Sequence, residues 1–427
     1  MKYRRKGIMR MTWRSIATLA MVCCVSLAVD CPAQEGESGP KIQYVPIQET
    51  NDSPPGLFKT AVIVDKMPLV HTRQLFPFDS QGKLVGEGAA EEQIEQVLEN
   101  LETVLKDSGS EMAKLVRVNV YALSTSIVAR FHRQLSQRLG GNIRPAITSV
   151  LTPSPHRGVV VAADAVAGAD AVTGPADSGE AVERKRCKSV AGHDQCADAA
   201  ILPAGGIAYL SGHPEGFDLT TLPTTQSMTR LMKTLGQLNL APEHVVQVKV
   251  FVNPITASEE VLREVQTFFP DQLAPPLVFV EWFASVPVEI EIIAHLPPSD
   301  GPAEPVEYFD PPEFRPSSTF SRVALMRADR QIYIAGLYAN QPSRGQPQAE
   351  LLFGQLDHVL KKTGSDMRHL VKATYYVSDD DAARWVDRTR PKVYDPVRPP
   401  AASKLMVHGV GHTQRTMTID MIAVEAE

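Results

Sequence analysis

Three stretches of the chain decide its fold: LVRVNVYALS from Leu115 to Ser124, VVQVKVFVNP from Val245 to Pro254, and LVKATYYVSD from Leu370 to Asp379. Each is a run of β-branched, aliphatic and aromatic residues that follows a helical segment, the composition of a buried strand. A proline-containing segment lies downstream of each: RPAITSV (Arg144 to Val150), APPLVFV (Ala274 to Val280) and PPAASKL (Pro399 to Leu405). Leu115 to Ile147, Val245 to Leu277 and Leu370 to Ala402 are all separations of 32 residues. Equal spacing at two landmarks marks copied units. A period of about 130 residues is too long for a solenoid repeat and long enough for each copy to carry its own core.

Within a copy the order reads strand, strand, helix, strand, helix, strand, strand. The first helix of copy one spans Ala90 to Asp107, with Ile94, Val97, Leu98, Leu101, Val104 and Leu105 at helical spacing and Ser108-Gly109 as its stop. Copy three repeats the stripe with Leu351, Leu352, Leu356, Val359 and Leu360 before Thr363-Gly364. Second helices are expected around Val128 to Leu139, Glu259 to Phe269 and Asp381 to Val386. Closing strands are expected at Gly158 to Val166, Val286 to Ala294 and Thr416 to Val424. The fold class is α+β, each copy a sheet backed by two helices.

The chain has 427 residues, 43% of them hydrophobic and 22% charged, with 43 Lys plus Arg against 49 Asp plus Glu. That usage belongs to a well-cored globular protein, and the balanced charge argues against nucleic acid as the main ligand. Lys2, Arg4, Arg5, Lys6, Arg10 and Arg14 precede an apolar run from Ile16 to Val29 and a small-x-small site at Cys31-Pro32-Ala33. Residues 1–33 therefore read as an export signal, with a membrane anchor as the alternative; the apolar run is shorter than the roughly 20 residues a spanning helix needs. Copy one is placed at 55–168, copy two at 196–297 and copy three at 319–427, joined by exposed linkers at 169–195 and 298–318. The basic cluster Arg184, Lys185, Arg186 and Lys188 is expected in a solvated loop. Export makes Cys187 and Cys196 a disulfide candidate, with two free thiols as the alternative.

Tyr209-Leu210-Ser211-Gly212-His213, the VVQVKVFV strand, APPLVFVEW and the closing Val288-Glu289-Ile290-Glu291-Ile292-Ile293-Ala294 resemble successive signatures of the reactive-intermediate deaminase (RidA/YjgF) family, also called endoribonuclease L-PSP. Copy one adds QIEQVLENLETVLKDSG from Gln93 to Gly109. Copy three adds Ile332-Tyr333-Ile334-Ala335-Gly336 and Pro400-Ala401-Ala402-Ser403. The resemblance implies a chorismate-mutase-like fold that assembles as a trimer with ligand clefts between subunits. Three tandem copies then imply an intramolecular pseudo-trimer, a monomer whose copies pair with one another; independent beads on linkers are the alternative.

In family members with deaminase activity an arginine after Pro-Ala grips the carboxylate of an enamine or imine. A guanidinium does this bidentately and cannot lose its charge. The resemblance places Ile147, Leu277 and Ala402 there, and none of them can make a charged hydrogen bond. The family's carboxylate that holds the attacking water corresponds to Glu289, with Ala162 and Thr418 in the other copies. The substrate loop corresponds to Ser211-Gly212, Ala335-Gly336 and Thr72-Arg73, and the loop aromatic to Phe320. Arg73, Arg144 and Arg322 are candidate replacement cations. Ser211, Gly212, His213, Leu277, Ala335, Gly336, Ala402, Ser403, Ile147 and Phe320 are thus the expected ligand-binding residues, and Glu289 the catalytic candidate.

His408 and His412 flank a turn, but two imidazoles without a third ligand at metal spacing read as turn histidines, so neither metal nor cofactor is expected. The expectation is an exported, catalytically degenerate RidA-like protein that binds a small molecule in its interdomain clefts or serves as a scaffold. The alternative is a hydrolytic enamine or imine deaminase built on copy two with a displaced cation.

Overall fold

The computed structural model describes residues 41–47, 60–170, 181–215, 222–298 and 303–426, so the expected signal at 1–33 lies outside the described residues. The repeated runs form strands β4 (Leu115–Ala122), β10 (Val245–Val252) and β16 (Leu370–Val377). Each pairs in parallel with the segment 32 residues on, β5 (Ala146–Leu151), β11 (Leu277–Glu281) and β17 (Ala401–Met406). Each also pairs antiparallel with a closing strand, β6 (Val161–Gly168), β12 (Val288–Leu296) and β18 (Met417–Val424). The parallel pairing needs a crossover, which the second helices supply: α2 (Thr125–Leu139), α4 (Ser258–Gln266) and α6 (Asp380–Val393). The first helices, α1 (Ala90–Asp107), α3 (Pro223–Gln237) and α5 (Gly345–Lys362), lay their apolar stripes on the same sheets.

The sheets do not follow the copies. In sequence the early strands of each copy run directly into the next, β2 (Thr60–Asp65) into β3 (Leu69–Thr72), β8 (Ala199–Leu202) into β9 (Gly206–Glu215), and β14 (Val323–Met326) into β15 (Arg330–Leu337). The pairing is otherwise: β2 joins β15, β8 joins β3, and β14 joins β9. Each sheet has six strands, four from one copy and two from the beginning of the next copy, and the N-terminal pair β1 (Ile42–Pro46) and β2 completes the sheet of copy three.

The exchange changes the reading of the linkers. The stretch 169–195 carries β7 (Glu183–Lys185), and 298–318 carries β13 (Val306–Phe309); both are edge strands. Arg184 is not in a solvated loop. Its guanidinium donates to the carbonyls of Pro242, Val245 and Leu273 and lies over Phe269, strapping sheet one to copy two. Arg186 donates to the fully buried Asp198. Cys187 and Cys196 are both free and buried. Cys187 packs in the core under sheet one and Cys196 in the core under sheet two, so they face different helices and make no bridge.

Each sheet has one face on its helices and the other against the remaining sheets. A shared cluster draws Val116, Val166 and Leu202 from sheet one, Tyr209, Val246 and Met326 from sheet two, and Val62, Tyr333 and Ile422 from sheet three. A second joins Tyr121, Phe251 and Tyr376, which hold equivalent positions on β4, β10 and β16. The copies are therefore packed together, sheets inward, rather than strung as beads. Among the described residues no helix is long and apolar enough to cross a membrane.

Asp65 and Arg330 are register partners on β2 and β15 and also a half-buried ion pair at 2.8 Å. Replacing both with cysteine should yield an intramolecular disulfide on mild oxidation, read as a mass loss and a gel shift in the monomer. If β2 instead folded back on β3, these positions would not meet and no bridge would form.

Candidate functional site

Strand register fixes which residues correspond. His71 pairs with Val166, Tyr209 with Ile293 and Tyr333 with Ile422, and these partners are themselves equivalent through Arg117, Gln247 and Lys372. Ser211-Gly212 and Ala335-Gly336 are therefore matched in copy one by Arg73-Gln74, one residue beyond the Thr72-Arg73 expected from sequence. In each case this loop faces the parallel edge strand of the following copy, so there are three clefts of different composition.

The cleft between copies two and three brings together Ser211, Gly212, Glu289, Ala402 and Ser403. The Ser211 hydroxyl donates to the Ser321 carbonyl at 2.6 Å and accepts from the Ala402 N–H at 2.8 Å. The Gly212 N–H donates to Ser403 Oγ at 3.3 Å. A Cβ at Gly212 would lie 1.9 Å from a Glu289 carboxylate oxygen, so a larger residue there would displace the Glu289 side chain. Ser403 Oγ donates to Glu291 at 2.8 Å, and Glu291 is ion-paired with Lys372. Burial, with the neighbouring Glu291 charge, pushes the Glu289 carboxyl up to about 7, partly offset by Ser403, Lys372 and Arg322. Arg322 lies with its guanidinium over the rings of Phe314 and Phe320, at 4.4 and 5.1 Å. Phe320 thus holds the cation rather than standing alone at the cleft. His213 pairs through its backbone with Ile290; its side chain lies outside the described residues.

The cleft between copies three and one is filled. A Cβ at Gly336 would come within 3.2 Å of the Thr148 backbone, and Ile147 is buried in the core under sheet one. Thr148 donates to Asp420 at 2.8 Å, and Asp420 is paired with Arg117 at 2.7 Å. The turn Gly409-Val410-Gly411 packs on Leu151 and Ser149, with Tyr338 donating to the Val410 carbonyl. The two histidines of this region diverge: His408 is paired with Glu281 at 2.8 Å, while the His412 ring lies tilted against Tyr338, centroids 5.4 Å apart. No group of metal-ligating residues occurs among the described residues.

The cleft between copies one and two is open. A cavity of about 240 Å³ is walled by Phe76, Phe78, His156, Leu262, Leu277 and Phe279. Gln74, only 3% exposed, bridges the copies: its N–H donates to the Leu277 carbonyl and its Oε1 accepts from the Phe279 N–H, both at 3.0 Å. Arg73 borders the cavity, but its guanidinium is spent on Asp198 at 2.6 Å and on the Gln74 and Ala191 carbonyls. The connection 191–196 covers this cleft through Gly192, His193 and Cys196. The other expected replacement, Arg144, turns back to the Gly140 and Ile143 carbonyls.

Sequence reasoning passed over Gln74 and the polar positions that tie the copies together. Arg117, Gln247 and Lys372 are the third residues of the three apolar runs, and Asp164, Glu291 and Asp420 occupy one position of the three closing strands. Arg117 reaches Asp420, Lys372 reaches Glu291 and Gln247 reaches the Thr72 carbonyl, while Asp164 accepts from Tyr121 and Asn119. A polar residue recurring inside aligned buried runs was the available signal.

The family model described as endoribonuclease L-PSP matches residues 56–167 and 312–425, more than half of the chain. No curated protein matches it. Similar solved structures include the Rid family protein YyfB from Yersinia pestis, 23% identical, covering 30% of this chain and 99% of that one with a TM-score of 0.28. A YjgF family member from Neisseria meningitidis is 20% identical over 29% of this chain and 96% of its own, TM-score 0.22. RidA from an Antarctic Psychrobacter is 17% identical over 22% and 80%, TM-score 0.21. The first matched region lies within 55–168 and the second runs from 312, inside the stretch 298–318, to 425, and the chain belongs to the endoribonuclease L-PSP (RidA/YjgF) family.

Proposed function

We propose that this is an exported, non-catalytic member of the family that binds a small molecule in the cleft between copies one and two. One observation carries the reading. Leu277 stands where the family resemblance calls for arginine, the neighbouring Arg73 is tied to Asp198, and an open, mainly apolar cavity lies between them. A substrate carboxylate there would meet no uncommitted guanidinium, and losing a charged hydrogen bond costs about 1.5–3 kcal/mol. Export rests on the basic and apolar composition of residues 1–33.

Arg322 favours a second reading. In the cleft between copies two and three its charge reaches Glu289, a carboxyl poised near neutrality, and a displaced cation beside such a group is the arrangement an imine hydrolase would use.

Purified protein should hydrolyse imines generated in situ from amino acids no faster than buffer, with Leu277→Arg the change that introduces carboxylate binding. Turnover by the unmodified protein, abolished by both Glu289→Ala and Arg322→Ala, would replace the first reading with the second.

Glu289 also makes a pH prediction. Because its folded-state pKa is raised from 4.5 to about 7, the protonated carboxyl favours the folded form at low pH, and that advantage is lost as pH rises from 4.5 through 7. At 1.36 kcal/mol per unit the loss is at most about 3 kcal/mol. Glu289→Gln should remove this part of the slope, giving a thermal midpoint that exceeds the wild-type value at pH 8 and approaches it at pH 4.5. An unchanged slope would show that folding does not raise the Glu289 pKa.

A further inference from the structure

The cavity between copies one and two has a definite chemistry. Its walls are three phenylalanines, two leucines and the face of His156, whose ring meets Phe76 and Phe78 edge to face at 4.5 and 5.1 Å. Burial lowers the pKa of His156, which favours a neutral ring against these walls. Such a slot fits a flat ring, because aromatic groups gain from offset and edge-to-face contacts.

The charges around it cancel. Arg73 and Arg186 both donate to Asp198, and Glu259 sits on the cavity's border, so two guanidiniums face two carboxylates. Every nitrogen of the Arg73 guanidinium already has a protein acceptor. The Arg73 charge is already balanced by Asp198, so a ligand carboxylate would give up its water for a neutralised cation and a neutral amide.

Gln74 adds a neutral donor to this wall. Gln74 uses its backbone N–H and side-chain oxygen to tie the copies together, while its Nε2 donates to no described residue. An amide donor facing a cavity suits an acceptor oxygen.

Resting on the cleft reading above, we infer that this site takes a neutral aromatic molecule carrying a carbonyl-type oxygen, the ring held among Phe76, Phe78 and Phe279 and the oxygen accepting from Gln74 Nε2. It selects against carboxylates of the same shape.

Three probes test this by calorimetry or ligand-observed NMR on the full chain: acetophenone and benzoate, which match in size, and toluene, which carries the ring without an oxygen. Acetophenone should bind most tightly, and benzoate about tenfold or more weakly, the equivalent of one lost charged hydrogen bond. Gln74→Glu keeps the oxygen that accepts from Phe279 but removes the donor; it should weaken acetophenone and leave toluene unchanged. Leu277→Trp should fill the cavity and abolish binding of both, with circular dichroism confirming that each variant is folded. Benzoate binding as well as acetophenone, and lost in Leu277→Trp, would overturn the selectivity while leaving the cleft a binding site. Acetophenone no tighter than toluene would overturn the role of Gln74. No binding of any probe, or binding indifferent to Leu277→Trp, would overturn both this inference and the cleft reading.

Discussion

The structure depends on a strand exchange that closes on itself. Each copy gives its first two strands to the sheet of the copy before it, and copy one gives β1 and β2 to copy three, the last in the chain. A sheet with only its own four strands would leave β3, β9 or β15 as an open edge, with unpaired N–H and C=O groups. No copy is complete alone. The connections between exchanged strands are short, Lys66 to Pro68, Pro203 to Gly205 and Arg327 to Asp329, so the sheets are held together by chain as well as by contact.

Side chains follow the same circular sense. From equivalent positions Arg117 of copy one reaches copy three, Gln247 of copy two reaches copy one, and Lys372 of copy three reaches copy two. Two of these end in buried ion pairs, where removing one partner typically costs about 3–5 kcal/mol because the other charge is stranded. The third is a neutral hydrogen bond, and its counterpart Asp164 is satisfied by Tyr121 and Asn119 instead. One chain can vary each interface independently, which a trimer of identical subunits cannot. One cleft holds Glu289 and Arg322, one is packed shut on Thr148, and one is an aromatic cavity.

Much of the fold was legible because periodicity and spacing record local structure and its copying. The first helix of copy one starts and ends where its apolar stripe indicates, and the separation of 32 residues reappears as three parallel strand pairs. Strand exchange was not legible. A strand buried between two neighbours has the same composition whichever copy supplies them, so AAIL before Gly206 reads as the partner of β9 when it pairs with β3. The short strands β7 and β13 lie in polar, proline-rich surroundings that suggest linkers. At the candidate site, a leucine at 277, where the family resemblance places an arginine, could be read directly, whereas the tying of Arg73 to Asp198 joins residues 125 positions apart and is visible only in three dimensions. The one-residue offset that puts Gln74 opposite Leu277 comes from pairing register, which sequence alignment of short strands does not fix.

The central claim is that the three copies form one cooperative body. It is tested by hydrogen exchange across a denaturant series, following by mass spectrometry the peptides of α1, α3 and α5, whose Leu101, Leu235 and Leu356 lie in three separate cores. Interlocked sheets predict that all three helices lose protection at one common midpoint. Three distinct midpoints, with one helix exchanging while the others stay protected, would contradict the account.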